Sequence, residues 1–151
     1  MSYQFTEQLA ELIDRKHQCL LQLRDLGNQQ AAFAAEGNLS DLLQVLAAKQ
    51  QLIQLLQRLE QALEPYRHDE PDRRRWRQAE QRASCTRQAE DCRRLLAEIL
   101  TQEKQSEAQM TLRRDEVARQ LQGAHSAQQT RSAYTQQVGL VTGMLDLSSN
   151  A

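Results

Sequence analysis

The sequence predicts an all-α chain: an antiparallel helical hairpin plus a long third helix, forming an elongated three-helix bundle or coiled coil with a C-terminal amphipathic tail. Three observations lead there. Leu, Ala, Gln, Glu and Arg dominate the 151 residues, and all are good helix formers. Five Gly, two Pro and 4% aromatics are too few for a sheet with its tight turns and strand-favouring side chains. Leucines recur at three- and four-residue steps on both sides of a Gly37-Asn38 pair.

Helix one is expected over about residues 2–35, its apolar face marked by Leu9, Leu12/Ile13, Cys19/Leu20, Leu23, Leu26 and Phe33. Gly27-Asn28 is a weak point within it, where a bend or break can occur. Gly37 can take the left-handed conformation that ends a helix. Asn38 can cap the next one, and Asp41, three residues on, places a carboxylate where the helix dipole favours it. Helix two then runs over about residues 39–63 with Leu39, Leu42/Leu43, Leu46, Leu52/Ile53, Leu56, Leu59 and Leu63, stopping before Pro65. Two long amphipathic helices joined by about four residues must fold back antiparallel.

A second turn over residues 64–71 leads to helix three, expected over about residues 72–122. At 1.5 Å per residue it would span ~75 Å against ~38 Å for helix two, so nearly half of it outreaches its partner. Its apolar pattern is uneven. Trp76, Ala79, Ala83, Cys85/Thr86, Ala89 and Cys92 give a narrow stripe, and Leu95, Leu96, Ile99 and Leu100 a dense patch. Beyond Thr101 only Met110, Leu112, Val117 and Leu121 remain. A helix that polar draws little stability from packing, so this part is expected to be exposed or mobile unless bound.

These helices form the expected domain of residues 1–122, and residues 123–151 a separate joint and partner-binding segment. The polar run 124–131 reads as a flexible joint. After it, Tyr134, Val138, Val141 and Leu145 fall at i, i+4, i+7 and i+11 on one helical stripe, with Leu140, Met144 and Leu147 beside them. Gly139 and Gly143 each cost roughly 1 kcal/mol in a helix, so the segment is not expected to hold a helix alone. An apolar face on such a segment points to folding on a partner. The candidate partner-binding residues are Tyr134, Val138, Val141, Met144, Leu145 and Leu147.

The residues exclude most chemistry. With 19 basic against 20 acidic side chains there is no global field to attract nucleic acid or an acidic membrane. Residues 1–7 lack the basic and apolar regions of a signal peptide, and no window approaches the ~18 to 20 apolar residues needed for membrane insertion. Three Cys, an odd number, argue against a disulfide framework and for a reducing compartment, so a cytoplasmic location is expected. His17 and Cys19 point to different faces of one helix, His68 sits in a turn beside Asp69 and Glu70, and His125 has no thiol or acidic neighbour. Cys85 and Cys92 lie two turns and ~10 Å apart, too far for one zinc or a disulfide. No nucleophile or phosphate-loop motif is present. No catalytic residue, cofactor or metal is expected, and the chain is not expected to be an enzyme. The run Arg73-Arg74-Arg75-Trp76-Arg77 reads either as a docking patch or as a solvated turn neutralised by Asp69, Glu70 and Asp72.

The stretch from Phe33 to Leu52, FAAEGNLSDLLQVLAAKQQL, resembles the helical hairpin of the FlgN-like flagellar export chaperones, which carry a small-Gly-Asp/Asn-Leu turn, a leucine-rich second helix and a Lys-Gln pair in its middle. The resemblance covers roughly the first 65 residues and extends loosely beyond. It implies a cytoplasmic type III export chaperone that holds hook-associated (hook–filament junction) proteins and delivers them to the export gate or ATPase components. It also implies that the C-terminal amphipathic region, here Ser132 to Leu147, is the main substrate-binding element. Tyr134 and the Leu145-Asp146-Leu147 ending resemble that family's C-terminal pattern, although Thr135 stands where many relatives have Gly. The competing reading is a structural coiled-coil adaptor or stalk-like subunit that acts by self-association, a homodimer through helix three.

Overall fold

A computed structural model describes residues 2–69 and 71–149, with the side chains of residues 3–69 and 71–139. The chain is all-α: α1 (Ser2–Glu36), α2 (Leu39–Arg67) and α3 (Ala79–Ser149), with a short 3-10 turn at Pro71–Arg73 and no strand among the described residues. It divides into two compact units, Met1–Ser106 and Glu107–Ala151.

The α1–α2 turn forms as its residues dictate. Gly37 has φ 73°, the only positive φ among the described residues. Its N–H donates to Ala34 O at 3.3 Å, and Asn38 N–H to Phe33 O at 3.0 Å, closing the exposed carbonyls of α1. Asn38 then caps α2: its Oδ1 accepts from Asp41 N–H at 3.3 Å while its Nδ2 donates to Asp41 Oδ2 at 2.6 Å.

Within the first unit, the cross-contacts fix direction and register. Lys16 pairs with Glu60, Cys19 donates to Leu52 O, and Gln30 meets Lys49, so α2 runs antiparallel to α1. Gln88 donates to Asp14, His17 approaches Asp91, and Gln102 reaches Asn28, a constant offset of 74 residues that sets α3 parallel to α1. The core sits where the three stripes meet: Cys19, Leu20, Leu23, Leu59, Cys92, Leu95 and Ile99, with a second cluster of Leu9, Leu63 and Cys85 nearer the α2–α3 connection.

Four expectations from sequence need correction. The first is the end of α2, which continues past Leu63 to Arg67 with Pro65 inside its last turn. That turn is held from outside by Phe5, whose ring packs tilted against Tyr66 at 4.6 Å between centroids, and by Arg74, which donates to Tyr66 O, while within α2 Arg67 pairs with Glu60 and Glu64. Second, α3 starts at Ala79 rather than near residue 72, because the intervening residues lie as a strap across α1. Thr6 Oγ1 donates to Arg75 O at 2.7 Å, and Arg77 pairs with Glu7 at 3.2 Å while lying over the Tyr3 ring.

Third, α1 has no break at Gly27-Asn28. A Cβ on Gly27 would stand 2.4 Å from Gln102 Oε1, and the Gln102 amide donates to Arg24 O and Asn28 Oδ1. The glycine is a notch that receives α3. Fourth, α3 is helical through residues 123–131 and through Gly139 and Gly143, where a joint and a non-helical tail were expected. No proline occurs between Ala79 and Ser149, and each glycine costs a helix only about 1 kcal/mol against about 3 for a proline. The unit boundary accordingly falls at residue 106/107 rather than 122/123, since Ser106 is the last buried residue among those described.

Candidate functional site

Tyr134 and Val138 are one turn apart on a helix, and they are 68% and 46% exposed. Both side chains are therefore in contact with solvent on the folded helix. Val141, Met144, Leu145 and Leu147 lie on the same helical backbone, but their side chains fall outside the described residues. Farther up, Met110, Val117 and Leu121 at i, i+7 and i+11 form one exposed stripe, with Leu112 exposed on another side. Every described residue from 107 to 139 is exposed except half-buried Gln109.

The arginine run resolves mainly into structure. Arg74 is largely buried, with its Nε 2.9 Å from Asp69 Oδ2 and its Nη2 2.7 Å from Tyr66 O. Arg77 is held by Glu7 and Tyr3, and Trp76 packs on the Leu9/Leu63/Cys85 cluster. Two of the four guanidinium groups thus fasten the connection between α2 and α3 to the rest of the first unit. Between these elements lies a cleft of about 480 Å³, floored by Leu9, Ile13, Leu63 and Cys92 and rimmed by Lys16, Arg67, Arg74 and Arg93. Its rim cations are engaged with Glu60, Glu64, Asp69 and Glu90, so no unopposed positive site results.

Among the described residues, three thiols and one carboxyl have clearly displaced titration. Burial pushes the thiols of Cys19, Cys85 and Cys92 above their ordinary range, and all three are buried and unpaired with one another, which keeps them protonated and unreactive at neutral pH. Partial burial raises the Glu60 carboxyl, but the Lys16 hydrogen bond and the Lys16 and Arg67 charges outweigh it and bring the group below the usual carboxylate range. His17 Nε2 lies 4.0 Å from Asp91 Oδ2, while Cys19 turns into the core. Among the described residues no three His, Cys, Asp or Glu side chains come together to hold a metal.

Sequence reasoning missed one surface. It read Leu39, Leu42/Leu43, Leu46, Leu52/Ile53, Leu56, Leu59 and Leu63 as one pattern of three- and four-residue steps, whereas the structure divides them. Leu42, Val45, Lys49, Leu59 and Leu63 are buried, while Leu39, Leu43, Leu46 and Ile53 form a separate exposed stripe. The signal was present in the doubled pairs Leu42/Leu43, Leu52/Ile53 and Leu55/Leu56, which spread apolar character over more of the helix than one neighbour covers. No helix of the described residues is long and apolar enough to cross a membrane. Comparison with protein families, with characterised proteins and with solved structures gave no match.

Proposed function

We propose that this protein is a cytoplasmic export chaperone of the flagellar type III system, one that binds hook-associated proteins and hands them to export gate or ATPase components. The hairpin residues from Phe33 to Leu52 support the reading, because they resemble those of the FlgN-like chaperones. The observation that carries it is the exposure of Tyr134 and Val138 on one face of a helix that continues to Ser149.

The mechanism is helix-in-groove recognition, in which amphipathic terminal helices of the cargo pack along this stripe. Burying three or four such side chains contributes roughly 5–10 kcal/mol gross, from which a few kcal/mol of ordering cost is subtracted. The net of about 3–7 kcal/mol corresponds to binding in the millimolar to about ten-micromolar range, suited to cargo that must be released.

The test is capture of a junction-protein terminal fragment, followed by calorimetric titration. Deleting residues 132–151, or combining Val141→Asp with Leu145→Asp, is expected to abolish capture. Thermal unfolding of the first unit should be unchanged by either, because its core lies within residues 1–106. Equal binding by the truncated and full chains would remove the tail from the site and with it this reading.

A further inference from the structure

The outward side of α2 is free of charge for about four turns. From Leu43 to Gln57 its exposed side chains are leucine, isoleucine, alanine and glutamine alone. The one charged residue of that span, Lys49, is buried and bonded to Gln30 and Glu103. Within and just before this surface, Leu39, Leu43, Leu46 and Ile53 are 65%, 57%, 38% and 37% exposed. Their steps of four, three and seven residues place them on one seam of the helix, with Gln50 filling the gap in the heptad spacing.

We infer that this seam is a homodimer interface, on which α2 of a second copy lies antiparallel about a two-fold axis at Leu46. A two-fold contact sets a surface against itself, so fixed charges near the axis would repel their own copies. This surface has none. Its polar residues are glutamines, uncharged and each both donor and acceptor, so they add no repulsion and need no ion-pair partner in the contact. Centring on Leu46 sets Leu39 of one copy opposite Ile53 of the other and Leu43 beside Gln50, so the exposed apolar groups cover one another. The antiparallel direction also opposes the two helix dipoles. A charged amphipathic helix from another protein would find no ion pair here. A single helix pair of this length lies near or below the ~1,200 Å² lower edge of standard interfaces, so the dimer is reversible.

The test is sedimentation equilibrium of the full chain over ~1–500 µM, where dissociation in the ~10–100 µM range is expected. Leu46→Glu and Leu46→Lys each place like charges across the axis and should raise the dissociation constant at least about tenfold. Mixing the two variants at low salt should restore a dimer, because position 46 meets position 46. Leu46 is partly exposed, and far-UV circular dichroism checks that both variants fold. A full chain that stays monomeric throughout overturns the inference, as does a dimer unaffected by Leu46→Glu. If the wild type is monomeric and only the variant loses cargo capture, the seam belongs to a different partner and self-association is again overturned. Deleting residues 132–151 should leave this dimerisation unchanged, so its failure and that of the tail-binding proposal are read separately.

Discussion

Lys49 shows at the scale of one residue how a polar group can hold three helices together. Its side chain is 7% exposed, its ammonium donates to Gln30 Oε1 at 2.7 Å, and it pairs with Glu103. Gln30 is itself buried, whereas Glu103 is about half exposed and can return to water. Lys49→Met therefore leaves Gln30 Oε1 without a donor in the core, at a cost of about 1–3 kcal/mol. The double variant Lys49→Met with Gln30→Leu removes both partners and should recover most of that loss. Urea unfolding of the four proteins gives the coupling, and additive losses would contradict the assignment. This burial was not legible in the sequence. A lysine among leucines and glutamines reads as solvated, and its partners lie 19 and 54 residues away along the chain. Gly37 and Asn38, by contrast, were legible because their whole mechanism is local: a positive φ and a cap three residues from its donor.

Elements repeat the same division between local and distant causes. The existence, order and type of the three helices follow from composition and leucine spacing, which each segment carries in itself. Their ends departed from expectation wherever distant residues decide: Phe5 and Arg74 sustain the last turn of α2, and Thr6 and Glu7 hold the strap that delays α3. Within α3 the sparse leucines after Thr101 did signal a change, and burial ends at Ser106. Amide exchange should register that step. Residues 85–99 carry the core contacts of α3 and are expected to exchange at least about 100-fold more slowly than residues 110–131, whose helical hydrogen bonds open with little loss of packing. Equal protection of both stretches in a dilute monomer would show that the second unit is held by contacts other than those described.

For the whole molecule, the two units carry different kinds of stability, and two spectroscopic probes can separate them. Met1–Ser106 contains every buried cluster among the described residues, so it is expected to unfold cooperatively. The described side chains of residues 107–139 are almost all exposed, so their helix rests on propensity and should fray gradually with temperature. Trp76, the only tryptophan, packs on Leu9, Leu63 and Cys85 and reports on the first unit alone. Far-UV circular dichroism counts helix from both. Heating the full chain should therefore give a sloping loss of ellipticity before any change in tryptophan fluorescence, then one cooperative transition seen by both probes. Ending the chain at Ser106 should remove the early slope and leave the fluorescence midpoint within ~4 °C, a shift equivalent to about 1 kcal/mol or less for a domain of this size. A larger fall in that midpoint would mean that the second unit contributes to the stability of the first, and the early slope would then need a different origin.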